Sequence, residues 1–362
     1  MKRSFYYTAL IILLAVVFHG CSTEKNTRAS RAYHNVTSKY NIYFNGKESM
    51  KAGLKRIEDN VQDDFTRILP VYIESYPSAG NTSRADMDNT ILKATKLIQI
   101  HSITKKPKRQ RIRTRAYQQF ASQEEFNKWV DDSYLLMGKA YFYQHNFVSA
   151  AENFSLVTRK FPQGKSRYEA LVWLMRSYSE QERYAEAREI MLAMESDRLF
   201  PRKLEKELAK VAADMFLKQK EYQEALKYLD IALKKSHNGK EKARLQYIMA
   251  QLYLETGNEA KASEAYRAVG KYNAPYKMAF NARINAAGMF SGQGDPEELK
   301  KELRKLLRDE KNLEFRDQIY FALGNIFFKE GNQEKAIENW RESVASSVDN
   351  DQQLALSAGT LA

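Results

Sequence analysis

The sequence predicts an all-α fold, a solenoid built from antiparallel helix pairs. The chain is 43% hydrophobic and 28% charged, with only 15 glycines and 7 prolines among 362 residues, which is typical of a helical globular protein. Two stretches, LLMGKAYF at 135–142 and FALGNIFF at 321–328, place a glycine inside a helix-forming run, where it costs about 1 kcal/mol relative to alanine. These glycines occupy two of six equivalent positions, which we call the glycine sites: 138, 175, 213, 250, 288 and 324. The even spacing of these sites indicates a repeat.

The repeats resemble the tetratricopeptide pattern, in which an aromatic, a small residue, a second aromatic, an alanine and a third aromatic follow at fixed spacing. The first repeat supplies Tyr134, Met137, Gly138, Tyr141, Ala150, Phe154 and Pro162. The last supplies Tyr320, Leu323, Gly324, Phe327, Ala336 and Trp340. Between them lie Leu174, Met175, Tyr178 and Ala187, then Ala212, Ala213, Phe216 and Ala225, then Met249, Ala250, Tyr253, Ala262 and Tyr266. We therefore predict a tetratricopeptide-like solenoid of about six units over residues 128–350.

The pattern gives the glycines a physical role. Helix A of a unit crosses helix B at the small residue, so we expect Gly138 and Gly324 to permit close approach, with Ala150 and Ala336 as small counterparts on helix B. The unit around Gly288 lacks the alanine and the aromatic of helix B. After the last complete unit, residues 351–362 form the start of an incomplete further unit, which we expect to be poorly protected from hydrogen exchange.

The first twenty residues predict an export signal. Lys2 and Arg3 precede a short apolar core, and the sole cysteine, Cys21, follows it. This arrangement predicts a lipoprotein signal peptide over 1–20, a lipid on Cys21 and a tether over 21–29. The alternative is an ordinary secretory signal with an incidental cysteine.

The region before the repeats is predicted to be helical over 30–104. We expect one or two helices within 30–68, breaks at Pro70 and Pro77, a polar loop over 78–86 and a helix over 89–103. A basic linker is predicted over 105–127, and its first part carries seven cations without an acid. It is either a solvated linker or an electrostatic docking segment. The cations are Lys105, Lys106, Lys108, Arg109, Arg111, Arg113 and Arg115.

No arrangement of catalytic residues is found. The histidines at 34, 101, 145 and 237 are scattered, and no phosphate-binding loop or nucleophile motif is present. Asp131 and Asp132 fit the start of a helix better than an acid/base pair. We therefore predict a protein that is not an enzyme and has no cofactor, metal or small-molecule substrate. The net charge is +13, but the export signal argues against nucleic acid as the partner.

The N-terminal part resembles the PorW/SprE family. The resemblance rests on residues 21–53, on DDFTRILPVY at 63–72, on LIQIHSITKKPK at 97–108 and on WVDDSYLLMGKAYFYQHNF at 129–147. It implies an outer-membrane lipoprotein that faces the periplasm. Such a protein acts in type IX secretion, and in gliding where present, by contacting other secretion-machinery proteins. Only Cys21, as the lipid anchor, transfers as a specific residue. Family members are usually longer, which fits the expectation of a truncated chain.

Two alternatives remain open: a tetratricopeptide lipoprotein of outer-membrane β-barrel assembly, and a glycan-binding nutrient-uptake lipoprotein. For a scaffold, we predict that the concave face lined by the A helices binds protein, and that exposed aromatics on this face recognise an apolar segment. The predicted contact residues are Leu135, Lys139, Phe142, Val172, Arg176, Tyr247, Gln251, Phe321, Asn325 and Phe328. Leu135 and Phe321 occupy the place of a clamp lysine, so acidic C-terminal peptides are not the expected ligand.

Overall fold

A computed structural model describes residues 23, 25–109, 114–289, 296–347 and 351–361. Over these residues the secondary structure is helical and includes no β-strand. The helices from residue 130 onward follow one another as antiparallel pairs in the predicted register. The prediction of an all-α tetratricopeptide solenoid is therefore confirmed.

The chain forms two compact units. Among the described residues, the first unit contains those up to Gln62 together with those of Tyr72–Val211. The second contains Asp63–Val71 together with those from Ala212 onward. The predicted boundaries at residues 104 and 127 do not coincide with this division. We call residues 63–71 the inserted segment, because they pack with repeats that follow them by well over a hundred residues.

The first unit begins with helices that precede the repeats. These are α1 (Arg28–Thr37), a π-helical turn (Ser38–Tyr43), α2 (Phe44–Asn60), α3 (Pro77–Thr82) and α4 (Arg84–His101). Helix α2 ends at Asn60, so the prediction of helix as far as residue 68 is wrong. The polar loop predicted over 78–86 is also wrong, because Pro77 starts a helix, at a position where its missing N–H removes no helical hydrogen bond.

The predicted basic linker contains a helix, α5 (Arg115–Ser122), whose N-cap is Thr114. Lys106 Nζ donates to the carbonyl oxygens of Ser122 and Gln123, at 3.2 and 2.7 Å. Arg109 is exposed, whereas Arg111 and Arg113 lie outside the described residues. The docking role predicted for the seven cations of the basic linker stays a prediction.

The repeats follow as pairs of helices. In the first unit they are α6 (Val130–Tyr143) with α7 (Phe147–Lys160), and α8 (Arg167–Glu180) with α9 (Tyr184–Ser196). The division between the units falls within α10 (Glu205–Lys218). The second unit continues with α11 (Tyr222–Lys235), α12 (Gly239–Glu255), α13 (Glu259–Val269), α14 (Tyr276–Gly288), α15 (Pro296–Arg308), α16 (Arg316–Lys329), α17 (Gln333–Ser346) and α18 (Asp351–Leu361).

The backbone repeats as regularly as the side chains. In five of the repeats, the turn between helix A and helix B has one residue with a positive φ. This residue always follows the glycine site by seven positions. These residues are His145, Glu182, Lys220, Gly257 and Gly331, with φ between 59° and 80°. Three of them carry a side chain in the left-handed region, which costs roughly 1–2 kcal/mol each relative to glycine. The repeat geometry therefore overrides local backbone preference at these turns.

The glycines permit close helix approach, as predicted. A Cβ atom on Gly138 would lie 2.6 Å from Phe154 Cε1, and one on Gly324 would lie 2.4 Å from Trp340 Cδ1. In both pairs the contact is with the aromatic ring of helix B. A Cβ on Gly288 would meet no atom within 4 Å, which agrees with the missing helix B aromatic of that unit.

We expect Gly324→Ala to destabilise the second unit by about 1–3 kcal/mol, because the added methyl group overpacks a buried indole. The matched control is Gly359→Ala in α18, where an added Cβ meets nothing within 4 Å. This control should be neutral or stabilising by up to about 1 kcal/mol, since alanine favours helix. Urea denaturation of the two variants measures the difference. An equal gain in stability in both would contradict close packing at Gly324.

Two histidines form a buried pair in the first unit. His34 in α1 and His101 at the end of α4 place their Nδ1 atoms 2.7 Å apart, and both side chains are buried. Burial, with a smaller contribution from His34, lowers the pKa of His101 to about 4. His101 is therefore a neutral imidazole near pH 7, and its Nδ1 lies within hydrogen-bond distance of His34 Nδ1.

This pair predicts a loss of stability in acid. An unfolded histidine takes up a proton near pH 6.5, while His101 in the fold does so only near pH 4. The unfolded state thus binds more protons between these values, so stability falls as the pH drops through this window, by up to about 3 kcal/mol. Thermal unfolding of the wild type and of His101→Gln between pH 7 and pH 4 tests this. A variant with the same pH slope as the wild type would contradict it.

Helix α18 packs on the last repeat. Ser357 is buried and lies 2.8 Å from Ser343 through their hydroxyl oxygens, and Leu361 packs against Phe327 and Trp340. Leu354 and Leu356 of the same helix are exposed. The expected weak hydrogen-exchange protection of 351–362 stays a prediction.

Candidate functional site

The inserted segment lies against α12 within the second unit. After α2 ends, the chain has no helical structure over residues 61–72 except for a turn at 65–67. Leu69 and Val71 are buried, at 0% and 3% exposure. Pro70 between them cannot donate a backbone hydrogen bond, which suits an extended stretch that has no strand partner.

One side chain of α12 binds the backbone of the inserted segment. Gln251 Nε2 donates to the carbonyl oxygen of Arg67 at 2.7 Å, and Gln251 Oε1 accepts from the Leu69 amide at 2.9 Å. A primary amide has both a donor and an acceptor, so it can pair with a peptide C=O and N–H at once. The Gln251 side chain thus recognises backbone groups of the inserted segment rather than its side chains.

Two further residues of α12 hold the same segment. Arg244 donates from Nε to the carbonyl oxygen of Pro70 at 3.0 Å, and its two terminal nitrogens pair with the Asp63 carboxylate at 2.8 and 2.9 Å. The Tyr247 ring meets the Phe65 ring edge to face, with centroids 5.4 Å apart. Positions 244, 247 and 251 lie on one helix face because they are three and four residues apart.

The same three positions recur two repeats later on α16. There they are occupied by Gln318, Phe321 and Asn325, again a polar residue, an aromatic and an amide. These three residues line an open cavity of about 570 Å³ within the second unit. We call it the open cavity.

The wall of the open cavity is rich in amides and nearly balanced in charge. Its charged residues are two cations and two anions: Arg67, Lys329, Glu255 and Glu259. Its amide side chains are Gln251, Asn281, Asn285, Gln318, Asn325 and Gln353. Apolar surface comes from residues such as Ile284 and Phe321. Such a wall offers paired donors and acceptors beside apolar contacts, but no cluster of one charge.

Internal hydrogen bonds orient part of this wall. Asn325 Oδ1 accepts from Trp340 Nε1 at 3.0 Å, which fixes that amide so that its Nδ2 remains as the donor. Asn285 Nδ2 donates to the Tyr247 hydroxyl at 3.1 Å. Burial raises the pKa of Tyr266 to about 12, and it raises the pKa of Tyr247 further. Both phenols are therefore neutral hydrogen-bonding groups.

In the first unit, residues 72–76 cover part of the predicted concave face. The Arg176 guanidinium carbon lies 3.5 Å from the centre of the Tyr72 ring and 4.5 Å from that of Phe142. Its Nη2 pairs with Glu74 Oε1 at 3.1 Å. Arg176 is buried among these groups, at 2% exposure. This part of the face is thus occupied by the chain itself.

The predicted contact residues differ in their exposure to solvent. Leu135, Phe142, Val172, Arg176, Tyr247 and Gln251 are buried, so the prediction that they are exposed is wrong. The physical reason for Arg176, Tyr247 and Gln251 is the chain itself, through residues 72–76 in the first unit and the inserted segment in the second. Lys139 pairs with Glu169. Phe321 and Asn325 are half-buried in the open cavity, and Phe328 is exposed. Their contact with a partner stays a prediction.

Sequence analysis missed Arg244, Gln318, Asn281 and Asn285. All four lie on A helices of the repeats, and the first two share the position six residues before the glycine site. That shared position could have been used to predict them, because the spacing of the repeats assigns each residue of an A helix to a helix face.

The first unit has a second cavity, of about 850 Å³, lined by residues of α5, of the start of α6 and of the turn after α7. Asp131 and Asp132 lie there, and burial raises the pKa of both carboxyls. Both accept from Ser166 Oγ, at 3.1 and 2.9 Å. They sit in the first turn of α6, as predicted for residues that start a helix.

The described part of the chain lacks two features. None of its helices is both long and apolar enough to cross a membrane. Within the same residues, no group of three or more histidine, cysteine or acidic side chains is placed to hold a metal ion.

One stretch of the chain matches a family model that agrees with the repeat architecture. The tetratricopeptide repeat family matches residues 211–274. No curated protein matches the chain. Among solved structures, a tetratricopeptide repeat protein from Parabacteroides merdae is 17% identical with a TM-score of 0.43, over 64% of this chain and 85% of that one. YrrB, described as a TPR protein with an unusual peptide-binding site, is 17% identical with a TM-score of 0.43, over 58% and 100%. The apo form of RapI is 15% identical with a TM-score of 0.43, over 95% and 93%.

Proposed function

We propose that this tetratricopeptide-repeat protein is a non-enzymatic scaffold that binds a protein partner in the open cavity of its second unit. The observation that carries the proposal is the inserted segment, which is a peptide already bound by α12 through Gln251 and Arg244. The next equivalent positions, on α16, line a cavity that the chain leaves open. A helix face that binds a peptide in one repeat is suited to bind another peptide two repeats later.

We further propose that the scaffold is an outer-membrane lipoprotein of type IX secretion, and of gliding where present. The support is the resemblance of residues 21–53, 63–72, 97–108 and 129–147 to the PorW/SprE family. Cys21 is the proposed lipid anchor and lies outside the described residues. The partners on this proposal are other secretion-machinery proteins of the periplasm and outer membrane.

Affinity purification of the tagged, membrane-anchored protein tests the proposal. We expect secretion components to co-purify with the wild type, and to be lost from a Phe321→Ala variant that keeps its thermal stability. Ile337→Ala, an exposed position on α17, is the matched control and should retain them. Co-purification of β-barrel assembly components, or retention on immobilised glycans in place of protein partners, would contradict the assignment to secretion.

The lipid anchor has its own test. Cys21→Ser should release the protein from the membrane, because stable anchoring needs the acyl chains that a lipidated cysteine carries. Mass spectrometry of the N-terminal peptide identifies the modification. An unmodified Cys21 thiol, or cleavage at another residue, would rule out the lipoprotein.

A further inference from the structure

We infer that the open cavity binds an extended, uncharged peptide segment of the partner, chiefly through the peptide backbone. This inference rests on the proposed function and adds the chemistry of the ligand. Gln318 and Asn325 supply the hydrogen bonds, and Phe321 supplies the apolar contact.

The first argument is the register of the repeats. On α12, positions 244, 247 and 251 hold a peptide with a guanidinium, a ring and an amide. On α16 the equivalent positions carry Gln318, Phe321 and Asn325. The ring and the amide are kept, whereas the cation that pairs with Asp63 is replaced by a neutral amide. A segment bound at α16 therefore needs no acidic residue at the place that Asp63 takes on α12.

The second argument is the charge of the wall. Two cations and two anions line the cavity, and one of the cations, Arg67, already lies 3.6 Å from Asp64. A charged side chain inside the cavity would lose its hydration without a dedicated partner, which is costly. Amides donate and accept as peptide groups do. Gln251 is already used by the inserted segment, so the five other amides favour an uncharged backbone.

The third argument concerns where the segment lies. Leu69 and Val71 of the inserted segment are buried, so the ligand does not replace that segment. Instead it lies beside residues 65–68, which form one side of the cavity. The volume of about 570 Å³ falls within the usual range for ligand pockets, about 300–1,000 Å³. Asn325 Nδ2 is the donor for a carbonyl of the ligand, since Oδ1 is held by Trp340.

A peptide-binding assay on the purified full chain tests the inference. The probe is a fluorescent pool of nine-residue peptides made of Asn, Gln, Ser, Thr, Val and Leu, blocked at both ends. We expect saturable binding, and about a tenfold loss when Gln318 and Asn325 are both changed to Leu, since each removes a neutral hydrogen bond. Asn339→Leu changes a half-buried amide on α17 that does not line the open cavity, so it is the control and should bind as the wild type does. Thermal unfolding establishes that all variants are folded.

A second pool separates backbone binding from binding through side chains. The same peptides with alternate backbone nitrogens methylated lose N–H donors but keep every side chain, and they should bind about tenfold more weakly. Equal binding of the methylated pool, or tighter binding of a matched acidic pool, would overturn the inference. So would a lack of binding by the wild type. In each of these cases the scaffold proposal still stands if partners co-purify with the wild type and are lost from the Phe321→Ala variant.

Discussion

Arg176→Ala is expected to destabilise the first unit by about 3–5 kcal/mol, since removing one member of a buried ion pair leaves the other charge without compensation. The Arg176 side chain is 2% exposed, and that of its partner Glu74 is 16% exposed. The guanidinium also stacks on Tyr72, with its carbon 3.5 Å from the ring centre, so the substitution removes packing as well as charge.

The control for this prediction is Arg183→Ala. Arg183 has the same kinds of partner, since it pairs with Glu186 at 2.8 Å and lies 4.1 Å from the Tyr178 ring centre, but it is largely exposed. Its loss should cost much less than the loss of Arg176, because water screens an exposed pair. Urea denaturation of both variants gives the comparison. If Arg176→Ala costs no more than Arg183→Ala, residues 72–76 are not held by Arg176.

Arg244→Ala should cost the second unit a similar amount, about 3–5 kcal/mol. The side chains of Arg244 and Asp63 are 14% and 11% exposed, and they meet through two nitrogen–oxygen contacts. A double-mutant cycle with Asp63→Asn should give a coupling energy of about 1–3 kcal/mol, because the two residues are in direct contact.

Hydrogen exchange locates the effect of Arg244→Ala. The Leu69 amide donates to Gln251, so it should exchange slowly in the wild type and faster in the variant. Arg283→Ala is the control, since Arg283 pairs with Glu302 at 3.7 Å with both side chains about half exposed. An additive cycle together with unchanged exchange at Leu69 would show that Arg244 does not hold the inserted segment.

The helix pairs could be predicted from the sequence because their signals are local and repeated. Gly138 and Gly324 stand out as glycines in helix-forming runs, and each contacts the helix B aromatic sixteen residues later. The missing aromatic opposite Gly288 could be predicted in the same way. Such features follow from spacing alone, since each repeat packs mainly on its neighbours.

The inserted segment could not be predicted, because its partners are far away in the chain. Leu69 pairs with Gln251 across 182 residues, and no local pattern of ILPVY indicates a helix face as its partner. An apolar run interrupted by Pro70 indicates only an extended stretch. The burial of Arg176, Tyr247 and Gln251 depends on such distant contacts of residues 63–76, so their predicted exposure was wrong, whereas the open cavity at Phe321 and Asn325 lies on the predicted face.

Site-specific photo-cross-linking tests the central claim most directly. A photoreactive phenylalanine at position 321 of the full chain, expressed in cells, places the probe inside the open cavity. The same residue at position 337 places it at an exposed position of α17. The account predicts one protein partner cross-linked at 321 through a short uncharged segment, identified by mass spectrometry, and none at 337. A partner cross-linked at 337 but absent at 321 would contradict it.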